Sequence, residues 1–110
     1  MPRPDWSPLP RPGCVNVGGK VLLVTEALGL AMLRFSPRGT IDEHSADHDV
    51  DVVCLEGAGY ASVEDEVAEL RAGQAVRWPR LRLHRLWTGD AGMLTLVVEH
   101  LRPKRRRKQS

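Results

Sequence analysis

The stretch from Gly73 to Thr88, GQAVRWPRLRLHRLWT, restricts the possible folds more than any other part of the chain. A Gly turn opens a short apolar strand carrying Ala75, Val76 and Trp78, and Pro79 ends it, because a proline has no N–H to give to a sheet ladder. A second strand then carries Leu83, His84, Leu86 and Trp87. Similar runs recur along the chain: Lys20 to Val24, Leu30 to Phe35, Thr40 to His44, Val50 to Leu55 and Met93 to Val98. Tyr60 to Val63 and Val67 to Leu70 read as a hairpin around Glu64 and Asp65, with Ala61 and Val63 opposite Ala68 and Leu70. Ser36 to Gly39, Gly57 with Gly59, and Gly89 to Gly92 are turn signals, and Thr25 to Leu28 is a loop or one helical turn. Roughly eight to ten short strands with hardly any helical period predict an all-β sandwich or closed barrel.

At 110 residues the chain has room for one domain with a modest core. We expect an extended Pro-rich arm over 1–13, a barrel domain over 14–101 and a disordered basic tail over 102–110. Six of the sixteen basic residues lie in that tail, so the body has ten against fourteen acidic residues, a net charge of about −4. Such a body is not a natural nucleic-acid binder, and the tail, with no aromatic residues interleaved, reads as a solubilising end. No run reaches the roughly 20 apolar residues of a membrane helix, and MPRPDWSPLPRPG has no apolar signal-peptide core, so a cytoplasmic location is expected. Cys14 and Cys54 have neither metal-finger nor redox-pair spacing and are expected to be free thiols. Trp6 is a large apolar surface to leave in water without a reason: it folds back on the barrel, packs on a second subunit or stays exposed on a loose terminus.

Gly73, Pro79 and His84 resemble the second conserved motif of the cupin superfamily, in which the His usually ligates a metal. The family often has Gly where this chain has Leu81, and Asn where it has Thr88. The stretch from Gly39 to Gly57 resembles the first motif, a His-x-His followed by a Glu. Counting back from Gly57, the Glu position falls on Val50, the second His on Ala46 and the first on His44. The resemblance implies a small cupin-type β-barrel, or jelly roll, with an extended N-terminal arm, and a homodimer. It implies a divalent metal (Mn, Fe, Ni or Zn) where the ligand set is complete.

Here the set is incomplete, and the residues leave two readings open. His44, Ala46, His48, Val50, Val52 and Cys54 share one strand parity, so His48 can stand in for the missing second His. His44, His48 and His84 would then hold the metal of a dioxygenase, isomerase or polyketide-cyclase-like enzyme. The other reading, which the loss of two ligands favours, is a barrel that binds a small organic molecule among His44, Val52, Cys54, Trp78, His84 and Leu86, with Met32 or Phe35 at the walls. Glu43, Asp47, Asp49 and Asp51 could supply a fourth ligand or orient an imidazole, but the favoured reading is a solvated acidic loop, with Asp49 and Asp51 facing away from the His side. A module that interacts through the Arg-rich tail is a third and more distant class. An imidazole in the pocket could act as acid or base, but the sequence shows no matched second group.

Overall fold

The computed structural model describes residues 6–9 and 13–101, and these form eight strands and no helix. They are β1 (Ser7–Pro8), β2 (Cys14–Val24), β3 (Gly29–His44), β4 (Asp49–Val63), β5 (Glu66–Arg71), β6 (Ala75–Trp78), β7 (His84–Trp87) and β8 (Met93–His100). The basic tail and most of the Pro-rich arm lie outside the described residues. β3 and β4 are longer than expected, because Ser36 to Gly39, Gly57 and Gly59 bend strands and do not end them. The residues that turn a chain also kink a strand: Arg38 has φ 59° and Gly57 has φ 78°.

The bends create the architecture. The first half of β3 pairs with β8 and its second half with β7. β4 divides its pairing between β8 and β7 in the same way. The circuit β3, β8, β4, β7 therefore closes on itself, and all these pairings are antiparallel. Between its two layers Phe35, Val52, Cys54 and Leu86 are fully buried, each of the larger ones contributing about 1.5 to 3 kcal/mol by leaving water. In the β4–β5 hairpin Ala61 does face Ala68, but Val63 lies opposite Glu66, and Leu70 opposite Gly59. The two-residue turn at Glu64 and Asp65 fixes that register. Both cysteines are free thiols.

Residues 6–9 return to the barrel. Ser7 and Pro8 pair with Gly19 and Gly18, and the Leu9 N–H donates to the Val17 carbonyl at 3.3 Å. Trp6 is covered by its own chain, with Lys20 Nζ at 4.8 Å and the Arg34 guanidinium at 4.5 Å from its ring centre.

Asp51 is not part of a solvated loop. Arg77 donates to both of its oxygens at 2.8 Å, and His100 Nε2 donates to Oδ2 at 2.7 Å, tying β6 and β8 to β4. The Arg77 hydrogen bonds lead in lowering its pKa from 3.8 to about 2. Since the folded value is depressed, this stabilisation is present above the unfolded value and is lost as the pH falls toward 2. Asp51→Asn is expected to cost about 1 to 2 kcal/mol at pH 7, allowing for solvent screening. In urea titrations its gap from the parent should close near pH 2; a gap independent of pH would remove the carboxylate from this account.

Leu81 stands where the cupin motif often has Gly, and it has φ 66°. Its backbone is held there by an N–H bond of 2.7 Å to the Ala46 carbonyl, while 60% of the residue remains exposed. A left-handed conformation costs a non-Gly residue about 1 to 2 kcal/mol, more than the unfolded-state entropy that Gly would add. Leu81→Gly should therefore raise the melting temperature by a few degrees, on the order of what about 0.5 kcal/mol gives a domain this small. A lower melting temperature would mean that the leucine side chain is packed.

Candidate functional site

The site forms where β7 runs beside β3. Leu86 pairs with Ile41 and His84 with His44, so three steps along β3 match two along β7. This bulge lets Ile41 and His44, of opposite parity, both line the cavity. The two imidazoles meet with Nε2 to Nε2 at 3.1 Å. His44 Nδ1 lies 2.8 Å from the Asp42 carbonyl oxygen, an acceptor only, so Nδ1 carries a proton. Neutral His44 then has its lone pair on Nε2, and His84 Nε2–H is the donor between the rings. Trp78 stacks on His84 with ring centres 3.9 Å apart and planes 4° from parallel, fixing the ring of a residue that is 2% exposed.

The cavity beside this pair has a volume of about 330 Å³. Its apolar walls include Leu9, Leu33, Ile41, Val50, Trp78 and Val97, and its polar groups are His44, His84, Ser45, His48 and Glu99. Of the expected pocket residues, His44, Trp78 and His84 line it, whereas Val52, Cys54 and Leu86 belong to the core. Phe35 is also core, and Met32 does not line the cavity. Leu9, which sequence reasoning did not place here, comes from the N-terminal arm. The Trp78 Nε1–H is buried and has no acceptor among the described residues.

β3 ends at His44 and β4 begins at Asp49, so the two runs are separate strands, as expected, and the unbroken strand that would carry the parity from His44 to His48 does not form. His48 nevertheless lines the same cavity, but both its nitrogens are taken. Nδ1–H donates to Asp47 at 2.9 Å and Nε2–H to Glu99 at 2.7 Å. Burial opposes charge on this ring, yet the hydrogen bonds to Asp47 and Glu99 prevail and raise its pKa.

No family model matches the chain, and no curated protein matches it in sequence. Solved structures do match. The polyketide cyclase RemF from Streptomyces resistomycificus superposes with a TM-score of 0.82 at 22% identity, covering 100% of this chain and 87% of its own. A cupin-2 domain from Rhodospirillum rubrum gives 0.83 at 18% identity, over 100% and 78% of the two chains. KdgF from Halomonas sp. gives 0.76 at 22% identity, over 89% and 87%. The chain has the cupin fold.

Within this fold the residues present do not fit the metal centre that the cupin resemblance implies. A catalytic site of this kind needs at least three converging protein donors. Two imidazoles converge here, and the walls at the positions of the missing His and Glu are the aliphatic Ala46 and Val50. His48 would have to give up one of its two carboxylate partners to join them. Among the described residues no group of three or more His, Cys, Asp or Glu is placed to hold a metal ion.

Thr88, the other departure from the motif, has a definite task. Its hydroxyl accepts from the Gly39 N–H at 2.8 Å and donates to the Ser36 carbonyl at 2.7 Å, tying the end of β7 to the bend of β3.

Proposed function

We propose that this cupin binds a small organic molecule in the cavity beside His44 and His84, with an apolar body against Trp78 and the aliphatic walls. The observation that carries this reading is the composition of the cavity. The His44–His84 pair stands at a mostly apolar wall, with Ser45, His48 and Glu99 as its other polar groups. Few polar groups in a largely apolar concavity are what orients a small guest. The full-length likeness to a polyketide cyclase makes oxygenated aromatic compounds the first to test. The metal-dependent alternative requires His48 to give up its bond to either Asp47 or Glu99.

The test is a thermal shift on protein freed of metal, with manganese, iron, nickel, zinc and an aryl ketone such as 1-tetralone. A ligand at about 100 times its dissociation constant stabilises the native state by about 2.7 kcal/mol, a shift of several degrees. We expect that shift with the ketone and none with stoichiometric metal. One bound metal per chain, with a rise that His44→Ala removes, would overturn the reading in favour of a metallo-enzyme.

The protein is further proposed to be a homodimer joined through β2. Among the described residues β1 pairs with only Gly18 and Gly19 of this strand. Beyond them Val21, Leu22, Leu23 and Val24 remain 42 to 65% exposed on a sheet edge. Lys20 and Glu26 flank the run at equal distances from Leu23, so two antiparallel copies would set opposite charges against each other. Leu23→Lys should shift sedimentation toward monomer; an unchanged sedimentation coefficient would place the interface elsewhere.

A further inference from the structure

The structure supplies the matched second group that the sequence lacks, and it does so in a site whose donors do not make a metal centre. We infer that His44 and His84 form a metal-free proton-transfer pair acting on an enolisable ketone. The inference rests on the proposed binding of an organic guest in this cavity and gives that guest a reactive class.

The two rings have different assignments. His44 presents a lone pair at Nε2, because its Nδ1–H is held by the Asp42 carbonyl at 2.8 Å. His84 presents an N–H at Nε2, and its ring is held flat against Trp78. A base and a hydrogen-bond donor thus stand 3.1 Å apart at one cavity wall, a separation that suits the α-carbon and the oxygen of one carbonyl unit. The contact between the rings fixes both tautomers in the resting site, and an entering ketone replaces it.

The step balances without a co-reactant. His44 Nε2 takes the proton from the α-carbon. The C–H electron pair becomes the new C=C bond, and the carbonyl π pair moves to oxygen, where His84 Nε2–H donates a hydrogen bond to the developing charge. His44, now an imidazolium still bonded to the Asp42 carbonyl, returns the proton to oxygen, to the same carbon or to another carbon. The products are the enol, the exchanged ketone or a positional isomer, and both imidazoles end neutral.

The experiment is α-deuterium wash-in to 1-tetralone in D2O, followed by NMR, with full-length protein in excess EDTA and binding followed in parallel by thermal shift. Expected is exchange above the buffer rate that falls at least about 100-fold in His44→Gln while the ketone-induced shift is kept. His84→Gln, whose amide can still donate, should lose less than His44→Gln. A thermal shift without protein-dependent exchange, or exchange indifferent to His44→Gln, overturns the proton-transfer inference and leaves the binding reading standing. Exchange that EDTA abolishes and zinc restores also overturns it. If neither exchange nor a shift is seen, the binding reading fails for this ligand class as well, and the inference with it.

Discussion

Gly57→Ala is expected to cost this protein about 4 kcal/mol or more and to leave it largely unfolded at physiological temperature. Two effects add at this position. The backbone has φ 78°, which costs any residue with a Cβ about 1 to 2 kcal/mol. The added Cβ would also overlap the Gly92 carbonyl oxygen and stand 3.1 Å from Met93 Cα, and both neighbours are backbone that cannot swing aside. Gly57 is where β4 leaves β8, with the Ala58 N–H donating to Gly92 at 3.3 Å and the Gly57 carbonyl accepting from Ala72 at 3.2 Å. Moving either segment loosens the closed circuit, and small domains hold only about 5 to 15 kcal/mol in all. Gly73→Ala separates the two effects, because Gly73 has φ 90° and nothing within 4 Å of its Cβ position. It should cost only the conformational part, about 1 to 2 kcal/mol. Chemical denaturation of both variants checks this, and equal losses would show that the clash at Gly57 relaxes.

Gly57 also marks the limit of what the sequence discloses. Glycine there was readable as punctuation, and the all-β character followed from such punctuation. Whether a Gly turns the chain back or bends a continuing strand depends on partners far along the chain. Here β8 lies on one side of the kink and β5 on the other, and neither is visible from residues 55 to 59. The candidate site was legible in the same measure. His44 and His84 stood out by motif spacing, but their meeting requires β7 to lie between β3 and β4, and the bulge between Ile41 and His44 to aim the ring inward. His48 shared the parity of His44, but the chain leaves the strand between them, so parity does not account for its place at the cavity. Nor does it account for its engagement, because Glu99 is 51 residues away. Leu9 could not be assigned to the wall from a Pro-rich arm whose only local signal is extension. Val52, Cys54 and Leu86 show the converse error: parity gives the inward face but not the depth, and these three lie in the packed core.

Thr88→Val should cost about 3 kcal/mol, although the two side chains are nearly the same size. The hydroxyl serves two backbone groups at once, accepting from Gly39 and donating to Ser36. Thr88 itself is 5% exposed, so water is not at hand to replace it. Removing one partner from a buried pair costs about 1 to 3 kcal/mol for the group left behind, and here two groups are left. The Thr88 N–H bond to the Gly39 carbonyl, at 2.9 Å, survives the substitution and keeps the strands in register. The loss should therefore appear as lower stability of the same fold, with strand circular dichroism unchanged. Thr88→Ser keeps the hydroxyl and gives up a methyl group, about 1 kcal/mol. If Thr88→Ser is as damaging as Thr88→Val, packing and not hydrogen bonding holds this corner. The corner matters for the site because the bend it secures lies five residues before His44 on β3, and Thr88 lies four residues after His84 on β7. The hydroxyl, at a position where the cupin motif often has Asn, thus clamps together the two strands whose relative position sets the 3.1 Å contact. Ligand affinity in Thr88→Val should fall more than in Asp51→Asn, whose carboxylate lies on the outer face of β4, and matched binding curves for the two variants would remove this corner from the account of the site.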